Sequence, residues 1–237
     1  NGFTPDGMCI GGSSASTVAG THPGHEDGCG ADTFNSKLRL FNSMTGVEPV
    51  VEKEGPTDLF RVGHAFEDAV AVIATENLNE EFFHEKGQHA FLVNDQRMFL
   101  CGIENADGSL KYPHAIADMD RILEVHDQKT DDIIGYYGLE IKTAHYGALN
   151  EPHWVKSDEN PLGVPEKYEV QVRHYMGVAN IDGFFIACQE LSMLPQDLCI
   201  RYVPRDIAVE TAILDREEAF AQQCLRNEAP EPEEDDP

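Results

Sequence analysis

The sequence predicts an α/β (α+β) fold, a sheet with helices packed against it, and three observations carry the prediction. Across residues 57–81, Val62, Phe66, Ala69, Val70 and Ile73 recur at three- and four-residue spacing, which gives one apolar helical stripe. Strand-length apolar runs follow at 89–94, 97–104, 115–126 and 133–144. A second helical pattern then runs from Pro165 to about Asn180 and is followed by two more apolar runs, 183–190 and 198–203. The resulting core order is α-β-β-β-α-β.

Taken in order, residues 1–36 are rich in Gly, Ser, Thr and Asp and read as loop around one apolar piece, Met8-Cys9-Ile10. Residues 37–46 suit a short helix ended by Gly46. Thr57 or Asp58 can cap the long helix. Runs 89–94 and 97–104 flank a tight Asp95-Gln96 turn, and 115–126 and 133–144 flank a polar turn, 127–132, so each pair is expected to form a hairpin. Pro165 fits the first turn of a helix. Residues 206–227 form a final helix, and 228–237, acidic and Pro-containing, read as a disordered tail. One domain over 1–227 is expected, with its core at about 57–204.

Composition bounds the function. A hydrophobic share of 41% is ordinary for a globular chain, and no run reaches membrane-spanning length. The sequence starts at Asn1 without Met, so an upstream segment is open, but no basic-then-apolar leader is visible and a cytoplasmic protein is expected. Cys9, Cys29, Cys101, Cys188, Cys199 and Cys224 are scattered without a Cys-x-x-Cys pair, which predicts reduced structural thiols. His22, His25, His64, His84 and His89 lack zinc-ligand spacing with them. With 43 Asp+Glu against 17 Lys+Arg, the formal charge is −26. A polyanion is repelled by such a chain unless divalent metal and a few local cations make the phosphate contact.

The chemistry concentrates in Gly138-Leu139-Glu140-Ile141-Lys142-Thr143-Ala144. Side chains alternate along a strand, so Glu140 and Lys142 share a face. The preceding strand offers Asp118 and Asp120, of equal parity, and its pairing with 133–144 lets a carboxylate approach Glu140. Two carboxylates suit Mg²⁺, which takes oxygen ligands and keeps several waters; the Ile141 carbonyl offers a further oxygen. Lys142 can orient water or steady charge on a phosphate. Glu67, beside the apolar stripe of the long helix, is a third acid. Taken singly, each of these reads better as a solvated or structural group. Trp154 reads either as a base-stacking wedge or as an anchor for its loop, and His145 and His153 lie near enough to the strand to reach a substrate.

Together the residues carry a family resemblance. Asp120, Glu140 and Lys142 resemble the PD-(D/E)XK nuclease signature, and the chain more narrowly resembles the YqaJ-type viral recombinase, lambda-exonuclease-like family. The matching pieces are Ile10-Gly11-Gly12-Ser13-Ser14, Gly63 followed by Glu67, Ala117-Asp118-Met119-Asp120-Arg121, the strand 138–144, Trp154, and Pro165-Glu166-Lys167-Tyr168 with Gln171 and Tyr175. They run in order across about residues 10 to 190.

The resemblance implies a restriction-endonuclease-like αβββαβ core with a mixed central sheet flanked by helices. It selects Asp120 over Asp118 and implies Mg²⁺ or Mn²⁺ held by Glu67, Asp120, Glu140 and the Ile141 carbonyl, with Lys142 and Gln171 completing the catalytic set. Ser13, Ser14, Tyr168 and Tyr175 would contact DNA, within an N-terminal DNA-contacting segment 1–56. The implied activity is exonucleolytic cleavage of linear double-stranded DNA in phage or mobile-element recombination, with a single-strand annealing protein as partner, a homo-oligomer such as a trimer, and a prokaryotic or phage-infected host cell. No iron–sulfur cluster is expected from cysteines spaced this widely. Ser14 stands where the family has Asp, residues 21–32 resemble an insertion, and an arginine for a terminal 5′-phosphate is not visible. An endonuclease of the same fold and an inactive acidic scaffold remain the alternatives.

Overall fold

The computed structural model describes residues 8–22, 24–29, 36–47, 57–93, 98–191 and 198–232, with side chains of the long helix from Phe66 onward. A five-stranded mixed sheet organises it. Its strands are β1 (Gln88–Val93), β4 (Arg121–Asp127), β5 (Ile133–His145), β6 (Gly183–Leu191) and β7 (Cys199–Pro204), in that spatial order. The β1–β4, β4–β5 and β6–β7 pairs are antiparallel, and β5–β6 is parallel. A parallel pair needs a crossover, here supplied by the helix α4 (Glu166–Ala179). Helix α3 (Thr57–Leu78) covers the opposite face.

Alternation along β5 and β6 sorts the two cores. Leu139, Ile141, Phe185 and Ala187 pack with Val70, Ala71, Ala74 and Leu78 of α3. Phe184, Ile186 and Cys188 turn the other way, onto Val172, Tyr175 and Met176 of α4. Gly138 also faces α4, and Phe184 fills the space that a side chain there would need: an added Cβ would lie 2.1 Å from the Phe184 ring. Gly138→Ala is therefore expected to destabilise the fold by about 1–3 kcal/mol, read as a lowered melting temperature.

Several expected elements appear at their sequence positions. Helix α2 (Lys37–Thr45) is capped by the Ser36 hydroxyl and ends at Gly46, whose φ of 72° is left-handed. Helix α4 begins after Pro165 and ends at Asn180. Helix α5 (Ile207–Leu225) starts at Asp206, whose carboxylate accepts from the amides of Ala208 and Val209. The Asp95-Gln96 turn and the Thr57/Asp58 cap lie outside the described residues and side chains. Residues 228–232 are outside any helix or strand, and the rest of the acidic tail lies outside the described residues.

Four expectations need correction. The segment read as loop contains a short helix, α1 (Gly12–Val18), with weak helix-forming residues held by packing on α4. The long helix leaves α geometry at Leu78, passing through a π turn at Asn79–Phe83 and a 3₁₀ turn at His84–Lys86. The run 97–104 is not the hairpin partner of β1: among its described residues only β2 (Met98–Leu100) is strand, and it pairs with β3 (Ile116–Asp118) in a separate two-stranded sheet. The run 115–126 is correspondingly broken at Met119–Asp120, where the chain passes from that small sheet into the main one. Among the described residues no helix is long and apolar enough to cross a membrane.

Candidate active site

Glu140 and Lys142 project from β5 toward α4 as alternation requires, and the Lys142 ammonium donates to Glu140 Oε1 at 2.6 Å. Gln171, on α4, donates to the same oxygen at 2.7 Å and to the Tyr175 hydroxyl at 3.1 Å. Glu140 is only 3% exposed, and its other oxygen, Oε2, is buried without a hydrogen-bond partner. Burial outweighs the pull of Lys142 and pushes the Glu140 carboxyl up to about 7. Burial also opposes the charge on Lys142, but the Glu140 and Asp120 carboxylates prevail and hold its ammonium above the ordinary value.

The break between β3 and β4 creates the second half of the cluster. Asp120 sits at this bend, and its Oδ2 accepts from the Ile141 amide at 2.8 Å. The N–H and C=O of a strand residue point to the same neighbour, so the Ile141 carbonyl turns toward Asp120 as well. Burial raises the Asp120 carboxyl, with the Ile141 amide and Lys142 opposing and the Glu67 charge adding to the rise. Arg121 ties the strand start to α3: it pairs with Asp68, next to Glu67, and donates to the Asp120 carbonyl. Glu67 is half-buried there. Asp118 lies exposed on β3 opposite Met98, so the structure brings Asp120, not Asp118, against Glu140 and Ile141.

The remaining expected residues divide. Ser13 is exposed and Ser14 half-buried in the first turn of α1. That turn lies directly over Gln171 and Tyr175: a Cβ at Gly12 would stand 2.4 Å from the Tyr175 ring. Tyr168 is partly buried, with Lys142 over its ring at 4.8 Å and Trp154 beside it at 5.9 Å. Trp154 is buried, which settles its reading as a loop anchor. Tyr175, which the resemblance places at DNA, is 5% exposed here, packed on Phe184, and bonded to Gln171 through its hydroxyl.

Sequence reasoning missed three supports. Asp68 and Arg121 had a signal, since each adjoins a predicted site acid. Glu166 accepts from the Thr21 and His22 amides and meets His25 at 2.5 Å, pinning the segment after α1 to the start of α4. Buried His174, three residues after Gln171, bonds the Glu217 carboxylate and the Ile116 carbonyl. Nothing local announces either of the last two.

The donor set can be tested against a metal. Among the described residues no group of three or more His, Cys, Asp or Glu side chains is placed to hold a metal ion, so Glu67 does not join Asp120 and Glu140 in a three-carboxylate site. Mg²⁺ does not ask for one, since it takes one or two carboxylates and keeps its waters. A buried carboxylate oxygen with no partner, beside a second carboxylate and a strand carbonyl, fits such an ion.

Comparison with known proteins agrees in outline. A family model described as the YqaJ-like viral recombinase domain matches residues 8–182. An alkaline exonuclease from Laribacter hongkongensis superposes with a TM-score of 0.53 and 13% identity, covering 92% of this chain and 89% of that one. A phage-related exonuclease from Haemophilus somnus 129PT gives a TM-score of 0.49 and 11% identity, covering 93% and 96%. The first likeness shows a shared fold. No curated protein matches the sequence significantly.

Proposed function

The chain belongs to the YqaJ-like viral recombinase domain family, and from that premise we propose that it is a metal-dependent exonuclease hydrolysing phosphodiester bonds of linear double-stranded DNA. Its setting is phage or mobile-element recombination, where the single strand left behind passes to an annealing protein. The observation that carries this reading is Glu140: a carboxylate held on one oxygen by Lys142 and Gln171, with the other oxygen buried and unpartnered.

In this reading Glu140 Oε2, Asp120 and the Ile141 carbonyl hold Mg²⁺ or Mn²⁺, with Glu67 serving a second ion. Such an ion supplies Lewis acidity toward phosphate oxygens and lowers the pKa of a bound water. The protein's own groups prepare the rest. Gln171 and Lys142 fix Glu140 Oε1, so Oε2 is the oxygen left to coordinate. Lys142 keeps its proton at Nζ under the pull of both acids, which suits it to orient water and to steady charge developing on the phosphate. Tyr175 and Gly12 fix Gln171, and Ser13 offers an exposed hydroxyl to the DNA backbone on the same side. In a chain of net charge −26, these few groups and the metal must make the phosphate contact.

The test incubates the protein with Mg²⁺ on linear, 5′-labelled and covalently closed circular duplex DNA, over a range of salt that screens the acidic surface. Linear DNA should be degraded and circles spared, and chelation should stop the reaction. Cleavage of circles would make the protein an endonuclease. Equal activity in wild type and Lys142→Ala would remove the proposed chemistry.

A further inference from the structure

Cys188 on β6 and Cys199 on β7 are partners in the antiparallel ladder and form its last matched pair. We propose that they are a redox pair, closing under oxidation into a reversible disulfide that clamps the start of β7 to the end of β6. The proposal stands apart from the nuclease reading. Directly opposed residues point to one face of a sheet, with Cβ atoms about 4.5–5.5 Å apart. A disulfide asks for roughly 3.5–4.5 Å between them, so a small adjustment suffices. Both thiols are free and pack against the same core, under α4. Among the described residues no other two cysteines face each other across a strand pair.

Position decides what closure does. Cys199 is the first residue of an edge strand, so the bond would fasten the end of the ladder, where the backbone adjusts most easily. The same row continues from Cys188 to Lys142 on β5. Cys188 also lines the cleft beside Lys142, between the end of β5, the loop after it and the start of α4. Access is unequal: Cys188 is fully buried and Cys199 half-buried. Burial raises both thiols, Cys188 up to about 12, while Arg201 pulls Cys199 back. Neither is a ready thiolate, so the pair resists brief exposure to oxidant, and Cys199 is the one that an oxidant meets first.

A small disulfide serves as the oxidant. The Cys199 thiolate attacks one of its sulfurs, expels a thiolate and is left in a mixed disulfide. Cys188 then gives its proton to solvent and attacks the Cys199 sulfur, expelling the second thiolate. The protein loses two electrons and two protons, and the small disulfide becomes two thiols. The neighbouring position of Cys188 favours this second step over release by another molecule.

The protein is incubated with oxidised glutathione at mildly alkaline pH, which supplies thiolate; remaining thiols are alkylated and the digest is read by mass spectrometry. Peptides joined through Cys188 and Cys199, two hydrogens lighter than the reduced pair and separated again by dithiothreitol, are expected. The bridged protein should melt a few degrees higher than the reduced one. Cys188→Ala should trap glutathione on Cys199, because the thiol that expels it is gone. Cys199→Ala, a change at the sheet edge, should leave Cys188 without glutathione. No bridge in wild type, a bridge to a different cysteine, or glutathione on Cys188 in the Cys199→Ala protein would overturn the pair. A bridged protein whose melting temperature is unchanged or lower would overturn the clamp.

Discussion

Glu140→Gln should reduce cleavage by roughly a thousandfold or more while raising the melting temperature of the metal-free protein. The two effects have one cause. Glu140 is buried, its carboxyl is pushed up to about 7, and Oε2 finds no donor. An unpartnered buried polar atom costs about 1–3 kcal/mol. The amide keeps an oxygen for Lys142 and Gln171, and although its nitrogen takes the unpartnered place of Oε2, it removes the desolvated charge, the larger cost, so a gain of a few degrees is expected. Mg²⁺ adds the contrast: it should raise the wild-type melting temperature by mass action and leave the variant nearly unmoved. A melting temperature that falls in the variant would mean that Glu140 and Lys142 are a net stabilising ion pair, and the idea of an oxygen kept open for a ligand would fail.

How much of this was readable follows from the range of each signal. Period-two alternation placed Glu140 and Lys142 on one face, and helical spacing placed Tyr168, Gln171 and Tyr175 together. Periodicity does not say which layer a face meets, and the structure buries Tyr175, which the resemblance places at DNA, behind Gln171. Equal parity left Asp118 and Asp120 unresolved. The structure separates them by a strand break that no apolar pattern marks, since Ala117 and Met119 are buried in the core under α4 on one side of it and Leu123 in the core under α3 on the other. Helix α1 was missed because Gly-Ser-Ser-Ala-Ser-Thr-Val has little intrinsic helicity, and the close approach of Gly12 to Tyr175 is a tertiary fact. The cleft beside Lys142 joins residues of β5, its following loop and α4, whose proximity depends on the crossover.

Glu217→Ala is expected to destabilise the fold by about 3–5 kcal/mol, because it strips the partner from a buried charge. His174 is fully buried, with Nε2 2.7 Å from the Ile116 carbonyl and Nδ1 2.8 and 2.9 Å from the Glu217 carboxylate oxygens. A carbonyl only accepts, so Nε2 carries hydrogen, and Nδ1 shares a proton with Glu217. Burial opposes the charge on His174, but Glu217 prevails and raises its pKa; burial raises that of Glu217, with His174 pulling it back. Both groups bind protons more tightly in the folded protein. The contribution of His174 is therefore full below its ordinary value of 6.5, that of Glu217 only below 4.5, and each is lost as pH rises through the group's folded value. Glu217→Gln tests this without a cavity, since its amide can donate to Nδ1 of a neutral imidazole. That variant should stay folded near neutral pH, and its stability should instead fall as pH drops below the ordinary histidine range, because charging a buried, unpaired imidazole is unfavourable. The bond spans β3, four residues ahead of Asp120, and α4, three residues past Gln171, so it sets the spacing of the two elements that meet at Glu140. Melting temperatures of both proteins across pH decide the matter: parallel profiles would show that His174 does not hold its proton through Glu217.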